Sequence, residues 1–373
     1  MDSNASTGKE AGLIMKLVWI KGYHRLSLNR PDVWICLGVR GSGKSSFLEH
    51  LAEEHLDQGN CVLDLFAARS GESLAWLRNE KTKNKRILLL SAENAQVVAP
   101  GNVEVKAASK ISIDDFENFD IVINSCVLYP NIDSEFEAVN AILDKLWLRR
   151  KWKKLVFVVC REAANIVYSR MKIADNQTLA KTFLAYWLRE SRHTGCSIAL
   201  DSQRFMALDV DIRSLADYMV LKAQGASGIP KDMHFIYRYV EPSWLQYAKQ
   251  NEFIMLTRKG DIAIGIFEMP KWHAQEGEDV AGKLGIKVSF EDQPIEGVNK
   301  GDYKTVGDEE HAEIMRLYKD ENLSMARIAK KLSRSSGTIK VQIDKHNESI
   351  VKLGYCPACR RVKSKFELFS VQR

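Results

Sequence analysis

Eight residues near the start of the chain have the types and spacing needed to hold a polyphosphate: Gly38-Val-Arg40-Gly41-Ser42-Gly43-Lys44-Ser45. Glycines let successive backbone N–H groups curl around an anion, and a helix that starts at the lysine adds the positive end of its dipole. The lysine places a cation on the β- and γ-phosphates, and the next hydroxyl is suited to bind Mg2+. Such a loop needs a buried strand before it and a helix after it. Both are present, as the apolar run 33–37 and the amphipathic segment 46–58. Gly38, Arg40, Gly41, Ser42, Gly43, Lys44, Ser45 and Ser46 are therefore the expected ATP contacts, and Ser45 is the expected Mg2+ ligand.

Hydrolysis requires one carboxylate to organise the metal and one to polarise water. The apolar strand 155–159 runs into Cys160-Arg161-Glu162-Ala163, where a Walker B strand would end Asp-Glu. Glu162 can still activate water. Arg161 cannot bind a metal and is left to contact phosphate or a neighbouring carboxylate. Asp201, closing the run Ile198-Ala-Leu, is a second candidate for the metal carboxylate, and Asp64 is a third. Gln203 follows the strand 197–201 directly. It is expected to sense the γ-phosphate, the other reading being a turn or cap residue.

These groups can meet only if the intervening chain alternates strand and helix. Short runs rich in Val, Ile and Leu at 33–38, 61–66, 86–91, 120–125, 155–160 and 197–201 read as strands of a covered parallel sheet. Helical patterns at 45–58, 135–150 and 178–192 lie between them. The expected fold is α/β, a P-loop core whose mostly parallel sheet is covered by helices on both faces. Residues 218–222 continue the sheet, and 252–258 with 261–267 form a closing hairpin around Lys259-Gly260. Residues 1–30 read as an N-terminal extension and 31–268 as the ATPase domain. Residues 269–307, with two Pro and six Gly, read as a linker.

Composition sets outer limits. The 373 residues are 45% hydrophobic and 27% charged, which suits an ordinary globular protein. No run of about 18 apolar residues suggests a membrane span, and the polar start is unlike a signal peptide. Five of the seven cysteines sit singly in apolar stretches, as reduced core thiols would, so a disulfide framework is not expected and a cytoplasmic setting is. From Lys300 onward there are 16 Lys+Arg against 10 Asp+Glu, while the preceding residues carry 38 of each sign. The positive excess lies in the tail, as in a nucleic-acid-facing module on a neutral engine.

The order of elements beyond Glu162 resembles the HerA–FtsK superfamily of DNA-pumping ATPases, which includes conjugation and viral genome-packaging motors. The resemblance spans roughly residues 30–268. It rests on Arg192-His193-Thr-Gly195, then Gln203-Arg204, then Asp211-Ile-Arg213-Ser-Leu-Ala-Asp217 and Phe253-Ile-Met-Leu-Thr-Arg258. It implies a homo-oligomeric ring, usually a hexamer, that moves double-stranded DNA. On this chain it implies Lys44 and Ser45 as the Walker A pair, Glu162 as catalytic glutamate and Gln203 as sensor. Arg192 matches the arginine before the sensor strand. It is a candidate finger for the neighbouring subunit's γ-phosphate, or equally a cation satisfying its own helix C-terminus.

Residues 308–348 read as a helix-turn-helix, with helices at 310–320, 325–332 and 337–347. If the last helix enters a major groove, Ser335, Ser336, Thr338, Lys340 and Gln342 face base edges or phosphate, and Arg334 and Lys345 face phosphate. A small helical bundle for protein contacts is the competing reading. In 349–373, Cys356-Pro-Ala-Cys359 looks like half a zinc knuckle, with His346 as a third ligand, a metal shared between chains, or no Zn2+ at all. Arg360 and Arg361 follow as a basic strip. The expected activity is ATP hydrolysis coupled to movement or packaging of double-stranded DNA for a virus, plasmid or other mobile element, in the host cytoplasm if viral. The alternative is a nucleotide-gated DNA-binding regulator of partition or transcription type, with little turnover.

Overall fold

The structure is a computed structural model. It describes residues 15–66, 71–150, 152–167, 177–203, 208, 210–227, 229, 231–275, 277–290, 306–321, 323, 325–332, 334, 336–353 and 355–359. The chain divides into two compact units, residues 1–292 and 293–373.

In the first unit the strands are β1 (Lys16–Lys21), β2 (Val33–Leu37), β3 (Cys61–Phe66), β4 (Ile87–Ser91), β5 (Ala95–Val98), β6 (Val103–Ala107), β7 (Ile121–Asn124), β8 (Val156–Cys160), β9 (Cys196–Ser202), β10 (Tyr218–Leu221), β11 (Glu252–Thr257), β12 (Ile262–Ile266) and β13 (Lys287–Phe290). The helices are α1 (Lys44–Asp57), α2 (Ile113–Asn118), α3 (Ile132–Leu148), α4 (Ala164–Val167), α5 (Gln177–Thr194), α6 (Val210–Ser214), α7 (Pro242–Tyr247) and α8 (Val280–Lys283).

Eleven strands form one sheet in the order β1-β12-β11-β10-β2-β9-β8-β3-β7-β4-β6. From β10 to β6 every neighbouring pair is parallel, and β11, β12 and β1 add an antiparallel edge. Successive side chains of a strand point to opposite faces. Every residue of β2, β3, β4, β7, β8 and β9 is buried, so both faces of the parallel body are covered. That explains why these strands read as continuous apolar runs rather than alternating ones. The edge strands β1 and β6 are only partly covered.

Two expectations change. Lys16–Lys21, inside the expected extension 1–30, is strand β1, paired antiparallel with β12. Its apolar Leu-Val-Trp-Ile is flanked by lysines, as suits a sheet edge. The expected linker 269–307 also divides. Trp272, Ala274, Val280 and Ile286 are buried in the main core, and β13 pairs with β5. Buried apolar area ties 269–290 to the first unit.

Among the described residues the second unit holds three helices, α9 (Asp308–Lys319), α10 (Met325–Lys331) and α11 (Ser336–Leu353). Ile314, Met315, Leu317, Ile328, Ala329, Ile339 and Ile343 form its core. The last helix runs past the expected end at residue 347.

Candidate active site and basic module

The phosphate loop leaves the C-terminal end of β2, beside the end of β9, where Leu37 is in register with Ser202. Glycine is required at two places in it. Gly43 has φ +81°, and a Cβ there would lie 2.4 Å from the Gln250 carbonyl oxygen. A Cβ on Gly38 would lie 2.5 Å from Ser42 Oγ and 2.8 Å from Lys222 Cβ. Gln250 also donates from Nε2 to the Gly41 carbonyl at 2.9 Å. Lys222 is buried and donates to the carbonyls of Gln250 (2.6 Å) and Glu252 (2.7 Å), and burial pushes its ammonium down to about 8. These bonds hold the loop open from behind.

Lys44, on the first turn of α1, is buried and donates to the Val39 carbonyl at 3.1 Å. Ser42 Oγ is buried with no hydrogen-bond partner, a polar atom waiting for one. The loop thus fits a phosphate: glycine-borne N–H groups, a lysine resting on the loop's own carbonyl and an unsatisfied hydroxyl.

The ends of two adjacent strands and the start of α1 bring these groups together. Ser45 Oγ donates to Asp201 Oδ2 at 3.4 Å, and the Glu162 N–H donates to Asp201 Oδ1. Gln203 Nε2 donates to Glu162 Oε1 at 3.1 Å. Ser45, Asp201, Glu162 and Gln203 therefore form one connected set. Asp201 is fully buried, and burial pushes its carboxyl up to about 6, with Lys44 pulling the other way. Glu162 has φ +48°, and it is the one non-glycine with positive φ among the described residues. A left-handed glutamate costs of order 1 kcal/mol or more and persists only when its surroundings impose it. Here the Ala163 N–H donates to the Asp201 carbonyl at 2.9 Å and the Asn165 N–H to the Glu162 carbonyl at 2.8 Å, which fixes the turn.

Arg161 points elsewhere. Its guanidinium is buried and paired with Glu49 of α1 and Asp64 of β3, each at 2.6 Å. Glu49 also meets His273 Nδ1 at 2.7 Å, and Asp64 Oδ2 accepts from Trp76 Nε1 at 3.0 Å. Of the two contacts expected for Arg161, the carboxylate is the one made. Asp64, the third candidate for the metal, is spent on this network. Nothing local in the sequence marks Glu49 or His273 as its partners, because they lie 112 residues before and after it.

Arg192, in the last turn of α5, is exposed and pairs with Asp217 at 2.7 Å. Asp217 Oδ2 accepts from the Val33 N–H at the start of β2, so Arg192 lies at the opposite end of the sheet from its own phosphate loop. It borders an open cavity of about 470 Å³ lined also by Arg30, Asp32, Tyr218, Arg258 and Lys259.

In the second unit, Lys340 and Lys345 are exposed on α11 and Thr338 is partly so. Arg334 does not stand clear for phosphate. It makes a bidentate pair with Glu310, with Nε and Nη2 each 2.7 Å from a carboxylate oxygen. Gln342 is likewise engaged, its Oε1 lying 2.8 Å from His311 Nδ1. Ser336 opens α11, but its side chain lies outside the described residues, as do Ser335, Arg360 and Arg361. Cys356 and Cys359 meet His311 and His346, with Cys356 Sγ 3.5 Å from His311 Nε2 and Cys359 Sγ 3.3 Å from His346 Nδ1. His311 was missed from the sequence, having no His or Cys near it to signal ligation.

No helix of the described residues is long and apolar enough to cross a membrane. No family model matches the chain, and no curated protein matches it. Among solved structures it is similar to the genome packaging NTPase of Sulfolobus turreted icosahedral virus 2 in complex with AMP, at 16% identity and TM-score 0.40, covering 65% of this chain and 100% of that one. It is also similar to the pCW3 conjugation coupling protein TcpA, at 13% identity and TM-score 0.36, covering 76% and 72%. A third is the Type VII secretion ATPase EccC of Thermomonospora curvata, at 12% identity and TM-score 0.37, covering 67% of this chain and 25% of that one.

Proposed function

We propose that the chain is an ATP-driven motor acting on double-stranded DNA, with ATP hydrolysed at the loop 38–45. The observation that carries this reading is the connected set Ser45, Asp201, Glu162 and Gln203, drawn from a helix start and the ends of two adjacent parallel strands. A nucleotide-binding site without turnover has no need of a strained glutamate held against a glutamine.

In this mechanism the loop N–H groups and Lys44 bind the β- and γ-phosphates. Ser45 and Asp201 would hold Mg2+, which would neutralise charge developing on the phosphates. Asp201 thereby does from β9 what the usual aspartate does from the strand that here ends in Arg161. Glu162 takes the proton from the attacking water, and Gln203 orients both the carboxylate and the γ-phosphate side of the site. Arg192 lies at the far end of the sheet from its own loop, so its reach is to a neighbouring subunit's nucleotide in a homo-oligomeric ring. The second unit supplies the DNA contact, with Lys340 and Lys345 on phosphates and Thr338 toward base edges. The basic segment at Arg360 and Arg361 adds charge.

The regulator reading drew on Arg161 standing in a catalytic position. Its guanidinium is committed to Glu49 and Asp64 instead, which favours the motor. The direct test is ATP turnover with and without duplex DNA: DNA-stimulated hydrolysis supports the motor, and binding without turnover supports the regulator.

A further inference from the structure

The four ligand atoms of His311, His346, Cys356 and Cys359 all lie within 4.8 Å of one another. The residues come from three places in the second unit: the first turns of α9, the middle of α11 and the turn that follows α11. His311, His346 and Cys356 are buried and Cys359 is partly so. We propose that they form a closed structural Zn2+ site.

Geometry and chemistry agree on the metal. Bonds of about 2.0–2.3 Å to nitrogen and sulfur place the corners of a zinc tetrahedron roughly 3.3–3.8 Å apart. The pairs Cys356–His311 and Cys359–His346, at 3.5 and 3.3 Å, already sit at that spacing. Two thiolates and two imidazoles favour Zn2+ over the hard cations Mg2+ and Ca2+. Four protein ligands leave no open position for water or substrate, so the site is structural.

The orientation of His311 supplies an independent sign. Its Nδ1–H donates to Gln342 Oε1 at 2.8 Å, leaving the Nε2 lone pair aimed at Cys356. Metal-bound histidines are commonly held by such a second bond, which fixes tautomer and ring direction. Gln342 and His346 are four residues apart on α11, hence on one face of it. One side chain of that face aims a ligand and the next is a ligand.

A metal also meets a physical need. Among the described residues the second unit's hydrophobic core has seven buried members, and cores of that size usually require a staple. Zn2+ would clasp α9 to α11 and pin the turn 356–359 against them. Arg360 and Arg361 follow that turn directly in sequence, so the metal sets the point from which the basic strip departs. Loss of the Zn2+ is expected to weaken DNA binding, an expectation that rests on the DNA reading of this unit, whereas the metal assignment does not. The proposal stands independently of the ATP reading.

The test uses the full-length chain purified without chelator, with metal content measured per chain and Co2+ exchanged in as a spectroscopic probe. The expected result is one Zn2+ per chain and a tetrahedral Co2+ spectrum with thiolate charge-transfer bands. His311→Ala and Cys356→Ser should each weaken Zn2+ binding by tenfold or more, and Gln342→Ala by about tenfold. A chain without stoichiometric metal or tetrahedral Co2+ bands overturns the proposal. So does a His311→Ala variant that binds as tightly as the parent, which would leave a thiol pair without the histidine.

Discussion

Ser45 Oγ, on the first turn of α1, donates to Asp201 Oδ2 at the end of β9 across 3.4 Å. The strand expected to carry the metal carboxylate lies one place further along the sheet, as β8, and is followed by Arg161. On the proposed mechanism the metal carboxylate comes instead from the adjacent strand, as Asp201, whose other oxygen accepts from the Glu162 N–H. The distinct roles of Lys44, Asp201, Glu162 and Arg161 can each be tested.

Lys44→Ala removes the phosphate cation but no core contact of the sheet. Turnover is expected to fall at least about 100-fold, with the thermal midpoint within a few degrees of the parent. Steady-state hydrolysis and a melting curve check this together. Hydrolysis at the parental rate would move the site elsewhere.

Glu162→Gln and Asp201→Asn should separate binding from chemistry. Glu162→Gln keeps nucleotide affinity and loses turnover by about 100-fold or more, so ATP stays trapped. Asp201→Asn loses Mg2+ dependence as well, read by titrating Mg2+ at fixed ATP. Parental turnover in Glu162→Gln would transfer the base to another group.

The Asp201 carboxyl, pushed up to about 6 by burial, gives a pH dependence whose sign is fixed. The ionised form is needed for the metal, so Mg2+ affinity should weaken as pH falls through about 6, and Asp201→Asn should lack that dependence. Stability runs the other way. A carboxyl raised from 3.8 favours the fold fully below pH 3.8 and loses that contribution as pH rises through about 6. Without nucleotide, Asp201→Asn should therefore melt higher than the parent at pH 8 and no higher at pH 4. Melting curves at the two values decide it, and a gain confined to pH 4 would contradict the burial of this group.

Arg161→Asp would restore the usual Walker B text, and the structure says that it should do harm. It leaves Glu49 and Asp64 buried without their cation and adds a third carboxylate. Breaking a buried pair costs about 3–5 kcal/mol, so chemical denaturation should show a loss of at least that size. A stable and faster Arg161→Asp enzyme would refute the assignment of Arg161 to the network.

Removing residues 293–373 should weaken duplex DNA binding and flatten its salt dependence. Lys340→Ala and Lys345→Ala should each reduce the slope of log affinity against log salt by about one. Binding measured from low to moderate salt checks this. An unchanged slope in the truncated chain would place the DNA contact on the first unit.

The core sheet could be read from sequence because its strands are buried on both faces and carry unbroken apolar runs. Val33–Leu37, Cys61–Phe66 and Val156–Cys160 stand out for that reason. Edge strands are covered on one side at most, so Lys16–Lys21 and Val103–Ala107 mix lysines and glutamates with valines and give a weaker signal. The phosphate loop was legible because all its parts are contiguous. The Arg161 network and the fourth member of the His/Cys cluster were not, since each joins residues far apart in the chain. Glu49 and His273 look like ordinary polar residues, and Asp64 like a metal carboxylate, until the fold places Glu49 and Asp64 on one guanidinium and His273 on Glu49.

The most direct test of the central claim is ATP hydrolysis by the full-length chain, with and without double-stranded DNA, beside Lys44→Ala as the blank. The account predicts turnover that duplex DNA stimulates and that Lys44→Ala abolishes. Tight nucleotide binding with no turnover under any DNA condition would contradict it.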